Sequence, residues 1–196
     1  MTADSRTKMV ESAAALLRER GLSGTSFRDV IAHSGAPRGS IYHHFPEGKS
    51  QLVVEAVEMS GGWVGDAIQQ LNETNDPVAT LQLFLSVWAE TLQASDYRAG
   101  CPIVAVSVEA NDDEPQLTDA AAQVFRRWTR ELSAGLHAAG VEADRATRVA
   151  TLIVAGIEGA VVLCRAERST QPLLDVGTEL EATLRAALPT PVLPEG

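Results

Sequence analysis

Apolar residues recur along this chain at three- and four-residue spacing, and almost nowhere at the two-residue spacing of strands. Met9, Val10, Ala13, Leu16 and Leu17 share one side of a helix predicted from about Ser5 to Arg20, with Gly21 as its stop. A second helix begins at Ser26, which stands at capping-box spacing from Asp29, and ends at Gly35. Its inward side carries Phe27, Val30 and Ile31. A very short third helix is expected from Pro37 to about His43, because proline's missing N–H costs nothing in a first turn. A long helix follows from Glu47 to about Asn72, and Gly61, Gly62 and Gly65 suggest a bend or break within it. Further helices are read from Asp76 to Gln93, Gly100 to Glu109, Glu114 to Ala139, Ala143 to Glu167 and Pro172 to Leu188. The fold class is therefore all-α, with about nine helices: three in an N-terminal helix-turn-helix head and six in a C-terminal body. The expected boundaries are 1–46 for the head, 47–188 for the body and 189–196 for a Pro-rich disordered tail.

Composition narrows the function. With 196 residues, 45% of them hydrophobic, the chain has ample material for a buried core. No stretch offers the ~18 uninterrupted apolar residues of a membrane span, and the N-terminus MTADSRTK lacks an apolar signal core. A cytoplasmic protein with no membrane partner is expected. Cys101 and Cys164, the two cysteines, lie far apart and outside any metal-ligand spacing, so no metal and no cofactor are expected.

The formal net charge of −10 at first argues against nucleic acid. Its distribution reverses that. Residues 1–50 hold seven basic against five acidic residues, whereas the remainder holds nine against twenty-one. Three of the four histidines also fall in the first fifty. A cationic head on an anionic body suits DNA, because the body repels phosphate and so orients the head.

The most informative segment is Thr25–Lys49, TSFRDVIAHSGAPRGSIYHHFPEGK. Two short helices joined by a tight turn at His33-Ser34-Gly35-Ala36 have helix-turn-helix spacing. Arg38, Gly39, Ser40, Tyr42 and His43 are hard to explain as core, and they offer donors and a small-residue gap for close approach to a DNA backbone. Ile41 and Phe45 are expected to point inward. Any one of these residues alone is better read as part of a solvated turn; their conjunction favours DNA.

This segment resembles the head of the TetR family of regulators. The resemblance rests on Thr25-Ser26-Phe27-Arg28-Asp29-Val30-Ile31-Ala32 and on Gly35 through Phe45, which ends Tyr42-His43-His44-Phe45. Pro46-Glu47-Gly48-Lys49 and Gly100-Cys101-Pro102 look like the LmrA/YxaF-type branch. Pro37 stands where many relatives have Ser or Thr, and the branch accommodates it. The resemblance implies phosphate contacts from Thr25, Ser26, Tyr42, His43 and Lys49, beside Pro37, Gly39 and Ser40. It implies base readout by Arg38 and Arg28, although for Arg28 an ion pair within the head is an equal alternative. Arginine to guanine is worth about 1–3 kcal/mol of discrimination.

In the body, Val149–Leu163 is apolar on nearly every face, as a fully buried helix would be. The resemblance implies that the last two helices pair with those of a second subunit. The homodimer interface is then placed on Leu152, Ile153, Gly156, Gly159, Ala160, Leu163, Leu180 and Leu184. It also implies a pocket for an apolar or aromatic small-molecule effector, with Phe84, Trp88, Cys101, Phe125, Trp128 and Glu158 as candidate lining. Glu158, a carboxylate in an apolar run, is read first as a paired charge and second as a ligand contact. The expected activity is a ligand-released repressor on palindromic double-stranded operator DNA, with activation as an open alternative. The enzyme alternative finds no Glu-x-x-His, Gly-rich phosphate loop or Gly-x-Ser-x-Gly. A helical adaptor or carrier would explain the body but leave the basic head without a role.

Overall fold

A computed structural model describes residues 2–74 and 76–189, with the side chains of 2–4 left aside. Among the described residues there are nine helices and no strand. They are α1 (Thr2–Arg20), α2 (Phe27–Ser34), α3 (Ser40–His44), α4 (Lys49–Asn72), α5 (Pro77–Ala94), α6 (Pro102–Glu109), α7 (Pro115–Ala138), α8 (Ala143–Glu167) and α9 (Gln171–Ala187).

The chain forms two compact units, Met1–Val64 with Thr91–Arg126, and Gly65–Glu90 with Arg127–Gly196. This division does not follow the expected boundary at residue 46, since α6 and the first half of α7 associate with the head. In the first unit Met9, Ala13 and Leu17 of α1 are fully buried, as are Val30 of α2 and Ile41 of α3. Leu52, Val53, Ala56 and Val57 of α4 add to this core. In the second unit α8 packs along α9, with Ile153, Ile157, Ala160, Val161 and Cys164 buried on one side and Leu173, Leu180 and Leu184 on the other.

Helix α4 runs unbroken through Gly61, Gly62 and Gly65, contrary to the expected interruption. Packing supplies the reason for two of these glycines. A Cβ on Gly61 would lie 2.5 Å from both Val124 methyls, and one on Gly65 would lie 2.7 Å from the Arg127 guanidinium carbon. Gly177 likewise admits Leu85, whose Cδ1 would be 2.6 Å from an added Cβ. These positions are small because a neighbour occupies the space. At the other end of the chain, Pro189 packs on Gly140, while the rest of the expected tail, 190–196, lies outside the described residues.

Helix α8 is long and apolar enough to cross a membrane by length and composition, although Glu158 interrupts its apolar run. Its apolar residues divide between a face buried against α9 and a second, exposed stripe.

Candidate nucleic-acid interface

The head is built from the local signals its sequence carries. Ser26 caps α2 in extended conformation, its hydroxyl accepting from the Asp29 amide at 3.2 Å while the Asp29 carboxylate accepts from the Ser26 amide at 3.1 Å. The Ser26 hydroxyl and backbone bonds hold the Asp29 carboxyl below the ordinary aspartate range. Gly35 closes the helix at φ +68°, a left-handed conformation that glycine adopts without strain. This cap reverses the chain toward α3.

The approach to α3 differs from the expected helix start at Pro37. Pro37–Ser40 form a tight turn in which the Ser40 amide and hydroxyl both donate to the Pro37 carbonyl, at 3.0 and 2.7 Å. The regular helix is only the five residues Ser40–His44. So short a helix is not stable alone, since nucleation is unfavourable, and here tertiary contacts hold it. Ile41 and Phe45 are sunk in the core, and Tyr42 meets Phe27 of α2 edge to face at 5.6 Å. Ile41 and Phe45 thus point inward as the pattern predicted.

What remains outside is a compact polar surface. Tyr42 is 68% exposed, and Arg28, Pro37, Arg38, Gly39 and His43 are also exposed. Nothing lies within 4 Å of the place where a Gly39 Cβ would stand. Among the described residues neither Arg28 nor Arg38 forms an ion pair, so the ion-pair alternative for Arg28 is not realised.

Two candidate phosphate ligands are placed otherwise than expected. Thr25 is only 2% exposed, and its hydroxyl donates to the Gly21 carbonyl at 2.8 Å, locking the corner between α1 and α2. The Lys49 ammonium donates to the Leu22 carbonyl at 2.7 Å. Both side chains tie the head together. Ser26 remains exposed, although its hydroxyl is engaged in the cap.

The same corner has a partner that the sequence did not announce. Glu109, the last residue of α6, accepts from the Ser23 amide at 2.8 Å. Partial burial pushes its carboxyl up, but bonds from Ser23 and the backbone of Leu22, with the Lys49 charge nearby, hold it below the ordinary glutamate range. A second cluster was also missed. In the second unit Arg127 binds Asp66 at 2.8 Å and Glu131 at 2.7 Å, while Gln69 reaches Glu131 at 3.2 Å. Glu131 is only 8% exposed. Its hydrogen bond with Arg127, joined by that from Asp66, raises the guanidinium above its usual range. The i,i+4 spacing of Arg127 and Glu131 was the available sequence signal.

Of the candidate effector residues, Phe84, Trp88, Trp128 and Glu158 fall in the second unit, and Cys101 and Phe125 in the first. Trp128 and Cys101 are buried; Phe84, Trp88, Phe125 and Glu158 are half-buried. The candidate interface residues also divide. Leu152 and Leu163 are 47% and 49% exposed, and Gly159 faces open space. Ile153, Ala160, Leu180 and Leu184 are instead spent in the α8–α9 core of the same chain. Gly156 belongs with them, because a Cβ there would stand 3.3 Å from Leu180 and Val176 of α9. The exposed stripe continues through Ala155 and Val162 of α8, and α9 exposes Leu174.

Comparison with known proteins agrees with this geometry. Residues 9–56 match the family described as bacterial regulatory proteins, tetR family. Residues 77–179 match the LmrA/YxaF-like C-terminal domain of transcriptional regulators. The chain is 43% identical over 190 residues to the HTH-type transcriptional regulator Rv0196 of Mycobacterium tuberculosis, covering 94% of this chain and 96% of that one. It is 32% identical to YxaF of Bacillus subtilis, covering 93% and 96% respectively. Among solved structures, a TetR-family regulator from Agrobacterium tumefaciens superposes with a TM-score of 0.81 at 22% identity, covering 96% of this chain and 100% of that one. At that identity the likeness speaks for the fold alone.

Proposed function

The chain belongs to the TetR family of bacterial transcriptional regulators, with an LmrA/YxaF-like C-terminal domain, and from that premise we propose that it is a cytoplasmic dimeric repressor released from a palindromic operator by a small apolar or aromatic effector. It is a DNA-binding regulator, not an enzyme. The observation that carries the operator reading is the exposed set Arg28 of α2, Arg38 and Gly39 of the turn before α3, and Tyr42 and His43 of α3, a helix pinned from behind by Ile41 and Phe45. Arg38 reads a base edge in the major groove, Arg28 supports it, and Tyr42 and His43 bind phosphate. Ser26 adds a backbone contact.

The second copy is proposed to seat on the exposed stripe of α8 and α9. Leu152, Gly159, Val162, Leu163 and Leu174 are too apolar and too contiguous to suit water. Pairing there would present two heads to successive major grooves, about 34 Å apart. The effector is proposed to bind in the second unit, where Phe84, Trp88 and Trp128 supply aromatic surface and Glu158 a polar handle. Its binding favours a body shape incompatible with that spacing, a coupling of about 1–3 kcal/mol.

A gel shift with DNA flanking its own gene, run at two salt concentrations, tests the reading. Binding should weaken steeply with salt as phosphates are neutralised. Arg38→Ala should lower discrimination against unrelated duplex by about five- to a hundred-fold, with helicity unchanged. Unaltered discrimination removes Arg38 from the interface.

A further inference from the structure

On the buried side of α7 in the second unit, an acid, Glu131, stands between Trp128 and Leu136. It follows Trp128 by three positions, so the two share one side of the helix. Taking a carboxylate out of water is costly unless hydrogen-bond donors replace the water. Donors are supplied here, and they fall unevenly. Arg127 Nε at 2.7 Å and Gln69 Nε2 at 3.2 Å both donate to Oε1. The Asn72 side-chain amide donates at 2.9 Å to the Glu131 backbone carbonyl instead. Oε2 is shut off from solvent and accepts no hydrogen bond from the described residues.

The surroundings impose this asymmetry. Arg127 reaches in because residue 65 has no side chain, and Asn72 has room because residue 135 has none. An added Cβ would stand 2.7 Å from the guanidinium carbon at Gly65 and 2.5 Å from the carboxamide carbon at Gly135. Asp66 holds the guanidinium from its other side at 2.8 Å, so turning it toward Oε2 would break that bond. Glu131 is therefore fixed through its backbone and one oxygen, and the second oxygen is a preorganised acceptor. Joining α4 to α7 uses only Oε1 and the carbonyl. A sealed acceptor without a donor is a cost to the fold that this joint does not require. The charge is unbalanced as well. Asp66 and Glu131 bring two negative charges against one positive on Arg127, so one further cation restores neutrality.

We propose that Oε2 of Glu131 anchors a binding site in the second unit for an organic cation bearing an N–H donor: a protonated amine on an aromatic body. The ammonium donates to Oε2, and Trp128, on the same side of α7, supplies the aromatic surface that a cation and its apolar body favour. An alcohol makes the weaker bond, because charge-assisted hydrogen bonds are about twice as strong as neutral ones. A quaternary ammonium has the charge and lacks the donor. That such a ligand is the effector rests on the function proposed above; the site itself does not.

Calorimetric titration of the full-length protein tests the site. The probes are phenethylamine, tryptamine and naphthylmethylamine, each beside its alcohol and its trimethylammonium counterpart. At neutral pH at least one amine should bind about ten-fold more tightly than both counterparts. Glu131→Gln keeps an acceptor for Arg127 and Gln69 and puts an N–H donor where Oε2 stands. The amine should lose its advantage in that variant, while the alcohol, which can also accept, binds as before. A carboxylate that merely ties α4 to α7 would weaken amine and alcohol together. Glu179→Gln, at an exposed position of α9, removes the same charge and should change nothing. The wild-type comparison carries the test if Glu131→Gln does not fold. If no amine outbinds its alcohol, or if the preference survives Glu131→Gln, the inference is overturned and water serves Oε2. Added to a gel shift with DNA flanking its own gene, the same amine should release the DNA. An amine that binds through Glu131 and releases nothing leaves the site standing and removes the effector role from it.

Discussion

Replacing Gly21 by alanine separates two effects that a second glycine keeps apart. Gly21 and Gly35 both sit in the left-handed region, at φ +75° and +68°. Alanine there costs about 1 kcal/mol at either site. At Gly35 nothing lies within 4 Å of the new methyl, so the backbone term stands alone. At Gly21 the methyl takes the place of the Glu109 carboxylate, which must swing away and release the Ser23 amide. A charge-assisted bond contributes about 1.5–3 kcal/mol when buried; this one is exposed, and solvent screening cuts it to about 1. Gly21→Ala should therefore cost about 2 kcal/mol against about 1 for Gly35→Ala. Urea unfolding at one fixed protomer concentration reads the difference as a shift of midpoint. In a Glu109→Ala background the bond is already gone, and Gly21→Ala should fall to about 1 kcal/mol, a non-additivity of about 1. Equal costs at the two glycines, or strictly additive costs in the double variant, would refute the reasoning.

Other outcomes follow from the same structure. Leu152→Glu with Leu163→Glu should convert the protein to a folded monomer in light scattering, because both residues are exposed within the chain; a persistent dimer would move the interface elsewhere. Gly61→Ala forces a methyl to 2.5 Å from Val124 and should destabilise by about 1–3 kcal/mol in thermal unfolding, and pairing it with Val124→Ala should restore most of that loss. Asp29, Glu109, Glu142 and Glu181 all have carboxyls held below their ordinary range by hydrogen bonds. Their stabilisation is complete above the ordinary carboxylate range and is lost as pH falls through the lowered values. The denaturant midpoint should accordingly be flat near neutrality and fall below about pH 4; a protein equally stable at pH 3 would contradict these bonds.

The sequence was most legible where chemistry is local. Ser26 with Asp29 and Gly35 marked the ends of α2 because a cap is written within four residues. The inward Ile41 and Phe45 followed from spacing alone. It was least legible where an apolar residue has two possible partners. Helix α8 is apolar nearly all round, so periodicity could not say which side meets α9, and Ile153 and Ala160 were assigned to the wrong face. Lys49 and Thr25 show the same limit for polar groups, since a cation or hydroxyl near a DNA-binding motif does not reveal that a backbone carbonyl already holds it. The glycines of α4 looked like breaks because the bulk opposite them, Val124 and Arg127, lies some sixty positions away along the chain. Glu109 was invisible for that reason too.

The brevity of α3 has an evolutionary corollary. Its rigidity derives from two buried anchors, whereas the groups that would touch a base contribute almost nothing to the fold. Target preference can therefore drift by exchanging residues 28 and 38, which are exposed, with little toll on folding, and a designer could retarget the molecule by rewriting the same two letters.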